Sequence, residues 1–179
     1  MRWVSVTECL SVIGRFQGIP PKLLQQAAGQ GTKVHKYCLA RAKGLYLPAP
    51  DDVAPYVEAF ERWMATAAED VLCVEEPLRD SGLMLTGTVD LVARIKGEKL
   101  YSIIDLKRTA TVDWITGLQL AAYGHLAWKK FDRKFGPRYA LQMQAGVECR
   151  AIPFTDPKDW DAFMCAYSLY NHSRKGGKR

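Results

Sequence analysis

No stretch of this chain stays apolar long enough to cross a bilayer, and the opening Met-Arg-Trp-Val-Ser-Val lacks a signal-peptide core. These absences argue against a membrane partner and make the cytoplasm the expected location. Cysteines are few and scattered: Cys9, Cys38, Cys73, Cys149 and Cys165 are odd in number and include no C-x-x-C pair. A disulfide framework is therefore not expected, nor is a zinc or iron–sulfur clamp. The five are expected to be small hydrophobes in a reducing compartment. Repeats and low-complexity tracts are missing too, apart from a short basic tail.

What remains is an ordinary globular composition, 48% apolar and 25% charged over 179 residues. That length supports one domain with its own core, expected over residues 1–172, followed by a flexible basic tail at 173–179. The net charge of +6 is partly local. Arg174, Lys175, Lys178 and Arg179 crowd the tail, and Lys129, Lys130, Arg133, Lys134 and Arg138 form a second run broken only by Asp132. Such clusters suit a polyanion, although charge alone is equally compatible with simple solubility.

Periodicity divides the chain. A helix is expected from Pro21 or Lys22, an interruption at Gly29 and Gly31, and a second helix over 32–43 with Thr32 as its cap. Val53, Tyr56, Val57, Phe60, Trp63, Met64 and Ala67 recur at helical spacing between Asp52 and Asp70. The period then shortens, and strands are expected at 71–78, 84–95 and 100–107. A long helix capped by Asp113 should reach about Lys130, followed by a hairpin around Ala145-Gly146. A last helix should run from Asp156-Pro157 to about Tyr170. This order describes an α/β domain, a mixed central sheet flanked by helices.

The stretch TGTVDLVARIKGEKLYSIIDLKRTA (86–110) is a hairpin pattern with two acids in otherwise greasy strands. A turn at Gly97-Glu98, or a loop over 96–99, sets Asp90 against Asp105, Leu91 against Ile104, Val92 against Ile103 and Thr88 against Lys107. Alternation then puts Val89, Leu91, Ile95, Leu100, Ile104 and Leu106 on one apolar face, and both aspartates with Lys107 on the other. Facing carboxylates repel and cost stability. Lys107 can temper the repulsion, and so can a divalent cation held by carboxylate oxygens. On these residues alone both readings are open.

Four groups of residues break the tie: Gly87 and Asp90 in one strand, Asp105 and Lys107 in the next, Gln119 and Tyr123 on the following helix, and Gly31, Thr32 and His35 upstream. In this order they resemble the RecB-like branch of the PD-(D/E)XK nucleases. The opening SVTECLS (5–11) looks like that of small stand-alone, often phage-encoded members. The resemblance covers residues 5 to about 125.

The resemblance implies a restriction-endonuclease-like core and a metal-dependent deoxyribonuclease, either an exonuclease or a structure-specific flap or single-strand nuclease, in DNA recombination or repair. Magnesium or manganese would be held by Asp90, Asp105, the main-chain carbonyl of Leu106 and His35, with Glu75 or Glu76 adding a carboxylate. Adjacent strand residues point oppositely, so at most one of these two can serve, and Glu76 is preferred. Lys107 would orient or deprotonate the attacking water, and Gln119 and Tyr123 would support the site. Lys129, Lys130, Arg133 and the tail residues Arg174, Lys175, Lys178 and Arg179 would grip DNA, expected to be single-stranded or branched. Trp114, Tyr46 and Trp3 are candidates for stacking on bases, with core packing the commoner fate of any one aromatic.

Two departures matter. The cysteine triplet of iron–sulfur members is missing, so no cluster is expected, and there is no helicase segment. The rival from another class is a non-catalytic DNA-binding recombination accessory protein retaining the fold. A sequence-specific restriction enzyme is a second rival.

Overall fold

The computed structural model describes residues 2–14 and 21–176. A six-stranded mixed sheet carries α1 (Val6–Leu10), α4 (Ile115–Phe131) and α5 (Asp159–Gly176) on one face, and α2 (Pro21–Ala42) and α3 (Ala54–Ala67) on the other. Its strands are β1 (Val4–Ser5), β2 (Ala68–Asp80), β3 (Leu85–Ile95), β4 (Ser102–Lys107), β5 (Arg138–Gln142) and β6 (Arg150–Phe154). Strand β3 runs antiparallel to β2 and β4 and parallel to β1; β5 lies parallel to β4 and antiparallel to β6. The expected α/β class and mixed sheet are what the chain forms.

Each face has its own core. Val6, Leu118, Leu120, Leu126 and Phe163 pack with Val89, Val92 and Ile103 on one side. Val34, Cys38, Leu39, Val57, Phe60 and Trp63 pack with Leu91, Ala93, Ile104 and Leu106 on the other. Helix α4 is buried along most of its length because its sequence between Ile115 and Ala127 is almost entirely apolar. The Asp113 carboxylate accepts the Thr116 N–H at 3.3 Å at its start. At the other end of the chain, Ser5 and Glu8 form a reciprocal capping box that starts α1.

The hairpin register is as expected where it forms: Leu91 pairs with Ile104, Val92 with Ile103 and Ala93 with Ser102. The ladder is shorter than expected, however. Arg94–Tyr101 and Ile95–Leu100 do not pair, because the Tyr101 carbonyl instead accepts the Gly136 N–H. At the other end the pairing stops before Asp90, and β1 takes up the same edge of β3 only at Leu85 and Thr86. Between the two ladders, residues 87–90 of β3 have no strand partner on that side among the described residues.

Three expectations need correction. Alternation does not run evenly through β3: Val89 joins the core under α4, whereas Leu91 joins the one under α2 and α3. Strand β2 changes face in step, with Leu78 on the α4 side and Val74 on the other, around Glu75, whose φ is +51°. A left-handed residue opposite Asp90 locally shifts the pleat of the pair. Second, Gly29 and Gly31 do not interrupt a helix, and Thr32 lies within one rather than at its start, because α2 is continuous from Pro21 to Ala42. Third, α5 begins at Asp159 rather than at Asp156-Pro157 and extends past Tyr170 to Gly176.

A mid-helix glycine carries an entropic penalty that alanine avoids. A Cβ added at Gly29 meets nothing within 4 Å. Gly29→Ala is therefore expected to stabilise the protein by about 0.5–1 kcal/mol, measured as a higher urea midpoint at unchanged m-value.

Candidate active site

The gap in the β3 edge is where the polar residues gather. Asp90, at the point where the pleat shifts, turns its carboxylate toward β4 and accepts the Leu106 N–H at 2.8 Å. A side chain thus substitutes for the missing ladder partner. Asp105 and Lys107, two apart on β4, share the face covered by α4. Lys107 Nζ lies 2.6 Å from Asp105 Oδ2 and donates to Gln119 Oε1 at 3.0 Å. Gln119 Nε2 donates to Asp105 Oδ1 and to the Tyr123 hydroxyl, each at 3.1 Å.

Gln119 and Tyr123 are one helical turn apart, so α4 presents both to the end of β4. Gln119 thereby ties the acid, the lysine and the tyrosine into one network. Gly87 explains how the ring of Tyr123 fits. A Cβ at that position would lie 2.7 Å from Tyr123 Cε1 and 3.3 Å from Val6 Cγ2.

From the opposite side, α2 brings the His35 ring to the same edge, with Nδ1 3.6 Å from Asp90 Oδ2, too long for a hydrogen bond. Burial holds the His35 imidazole below its ordinary pKa, against the charge of Asp105, while the Leu106 carbonyl also favours its protonated form. Burial and the neighbouring Asp105 charge push the Asp90 carboxyl up to about 8, with the Leu106 N–H opposing. Burial likewise raises the Tyr123 phenol. Two acids, an imidazole and one main-chain unit therefore meet at a single edge.

Glu75 and Glu76 part company. Glu76 pairs with Lys130 of α4. Glu75 binds Lys43 at 2.6 Å, and it is the charge of Glu75 that reaches both Asp90 and His35. Each carboxylate is thus paired with a lysine, Glu75 on the side of Asp90 and His35 and Glu76 on the side of α4, a division that goes with the left-handed backbone of Glu75, which sequence does not display.

Arg108 and Tyr56 were not anticipated. The guanidinium of Arg108, next in sequence to Lys107, donates to the Tyr56 hydroxyl at 3.2 Å, while its Nε is buried without a hydrogen-bond partner. Gln142 Nε2 pins the following turn by donating to the carbonyls of Thr109 and Ala110.

The donors suit a hard divalent cation. Asp105 Oδ2 is buried and makes no hydrogen bond, having only the Lys107 charge beside it, and the burial and neighbouring Asp105 charge that raise Asp90 are what a bound cation offsets. No three His, Cys, Asp or Glu side chains converge into a ready-made cage among the described residues. Magnesium commonly binds through one or two carboxylates and retains several waters, so two acids are a sufficient anchor.

Among the sequence-derived nucleic-acid contacts, Lys129 and Arg133 are exposed, whereas Lys130 is paired with Glu76. Arg174 lies on α5 over the Tyr170 ring, Lys175 is on the same helix, and Lys178 and Arg179 fall outside the described residues. Trp114 and Tyr46 are 62% and 79% exposed, so neither is a core residue, and Trp3 is also at the surface. No described helix is long and apolar enough to cross a membrane.

A mixed sheet between helical layers, with two acids and a lysine at a break in its edge, defines a restriction-endonuclease-like fold. The model of the PD-(D/E)XK nuclease superfamily matches residues 18–161, and the chain belongs to that superfamily. A crystal structure from Eubacterium rectale, of a protein provisionally named an exonuclease, is similar at a TM-score of 0.55 and 14% identity, covering 93% of this chain and 78% of that one. The structure of SSO0001 aligns at a TM-score of 0.44 and 11% identity, over 96% of this chain and 76% of its own. No curated protein matches in sequence.

Proposed function

We propose that this chain is a magnesium- or manganese-dependent deoxyribonuclease of the RecB-like branch, an exonuclease or a flap or single-strand nuclease serving DNA recombination or repair. The observation that carries this reading is the Gln119-centred network joining Asp105, Lys107 and Tyr123 beside Asp90. A binding module gains nothing from buried acids facing a polyanion.

Asp90, Asp105 and the Leu106 carbonyl would hold the cation, with His35 completing the set. A divalent ion bound there supplies the positive charge that polarises the scissile phosphate and activates water. Lys107 carries three donors, one of which goes to Gln119, while its charge lies 2.6 Å from Asp105 Oδ2. A remaining donor can meet the phosphate oxygen or the attacking water, so Lys107 orients the nucleophile and steadies charge as it builds. Gln119 fixes the direction of that ammonium, and Tyr123 fixes Gln119. The cytoplasm, or the host cytoplasm for a phage-encoded protein, is the proposed location.

The reading is tested by incubating end-labelled single-stranded, duplex and flap DNA with magnesium, manganese or EDTA. Cleavage only with metal is expected; turnover that persists in EDTA, or none with either metal, refutes it. In the same assay Gln119→Ala is expected to reduce kcat by about tenfold or more with little change in KM, because a misdirected Lys107 fails in the transition state rather than in binding.

The C-terminal cations would contribute through the phosphate backbone. Removing residues 173–179 is expected to weaken DNA binding most at low salt and to leave the cleavage step intact. The slope of log K against log salt should fall by about 0.9 for each duplex phosphate that the shortened chain no longer neutralises. An unchanged slope counts against the tail as part of the DNA-binding surface.

A further inference from the structure

A second concave site lies at the far end of α4. A cavity of about 450 Å³ is lined by His125, Trp128, Lys134, Phe135 and Trp160, among others. Its aromatic wall is held in place. His125 Nε2 is 2.7 Å from the buried Asp80 carboxylate, and the His125 ring stacks on Trp160 with centroids 4.2 Å apart and planes 18° apart. Asp80 is itself fixed, accepting the N–H groups of Gly82 and Leu83. Trp128 stands at the mouth, tilted 53° to His125 and 46% exposed.

The rim is cationic. Lys134 lines the cavity, Lys129 Nζ sits 4.8 Å from the Trp128 ring centroid, and Arg133 lies over Tyr101. Arg138 also lines it, but its charge is used internally: it pairs with Asp159 at 3.0 Å and donates to the carbonyls of Gly117 and Asp156. Lys129, Arg133 and Lys134 are exposed, with Asp132 the only acid in their run.

We propose that this cavity is a nucleobase-binding subsite, in which one unpaired base of a nucleic acid strand stacks on Trp128 and the adjoining phosphates lie on Lys129, Arg133 and Lys134. The inference rests on the nuclease reading above for the class of ligand and adds to it a place for a base away from the reacting phosphate. A rigid aromatic wall beside exposed cations matches a ligand that joins a planar face to an anion. The volume is within the range of small-ligand pockets. Trp128 is nine residues beyond Gln119 on α4, about 13 Å along the axis at ~1.5 Å per residue and half a turn around it, so the subsite is on the other side of the helix from the acids and a strand reaching both must pass around α4.

The test is equilibrium binding in EDTA of a labelled oligothymidylate and an abasic strand of equal length. The parent protein is expected to prefer the thymidylate by at least about fivefold, the lower end of the effect of one stacked base. Trp128→Ala should remove most of that preference by weakening thymidylate binding and sparing the abasic strand, and Trp128→Phe should restore part of it. Lys134→Ala should weaken both strands alike. A parent that cleaves DNA but binds the two strands equally, or a Trp128→Ala protein that keeps the parental preference, overturns the subsite and leaves the nuclease reading standing. A parent that binds neither strand in EDTA also overturns the subsite, while metal-dependent cleavage decides the nuclease reading separately.

Discussion

Asp105→Asn is expected to lower metal-dependent cleavage by about 10³-fold or more, the scale set by removing a group that holds the charge acting on the transition state. The substitution keeps shape and polarity and takes away one negative charge. Gln119 Nε2 and Lys107 Nζ would face an amide where they now face a carboxylate, so both the cation and the ammonium lose their anchor. The fold should survive, because Asp105 sits beside intact apolar neighbours, Ile104 and Leu106, that hold β4 in the sheet. Cleavage of end-labelled DNA in magnesium, read beside the thermal unfolding midpoint, checks both statements. Cleavage at the parental rate by a folded Asp105→Asn protein would remove Asp105 from the proposed chemistry.

Lys107→Ala should lose a comparable factor by a different route. It removes the donor while leaving both acids in place, so metal affinity should be kept or increased. Calorimetric titration with manganese therefore separates the two variants where activity alone does not.

Much of this arrangement is legible in residue order. The pairing of Leu91 with Ile104 and of Val92 with Ile103 follows from apolar residues that alternate on two strands around one turn. Gln119 and Tyr123 share a face by helical spacing, and α4 does bring both against Asp105 and each other. What could not be read is the break at Asp90. Alternation assumes an even pleat, but Glu75 adopts a left-handed backbone that neither glycine nor asparagine announces, and both strands change face around it.

Strand β1 was hidden for a related reason. Two residues, Val4 and Ser5, are too few for any periodicity, and they pair with β3 across some eighty positions of sequence. Arg108 and Tyr56 lie far apart in the chain and meet only because α3 packs over the end of β4. Gly29 and Gly31 misled in the other direction. Weak local helix propensity is outweighed when the same helix buries Val34, Cys38 and Leu39 against the sheet.

Gly87→Ala is expected to be the most damaging small substitution outside the acids and the lysine. The new Cβ would meet the Tyr123 ring at 2.7 Å, a separation that real Cβ atoms essentially never show, with Val6 closing the other side at 3.3 Å. Tyr123 is buried and its hydroxyl braces Gln119, so the ring cannot swing away without releasing the group that directs Lys107. Overpacking of this kind costs about 1–3 kcal/mol, which for a chain of this size lowers the unfolding midpoint by roughly 2–12 °C. Cleavage should fall further than the unfolded fraction explains, since the displaced tyrosine lies within the network. Replacing Tyr123 by Leu removes part of the ring that the methyl strikes, so the stability cost of Gly87→Ala should shrink in a Tyr123→Leu background. A double-mutant cycle reads that coupling. Purely additive costs at the two positions would mean that Gly87 does not make room for Tyr123.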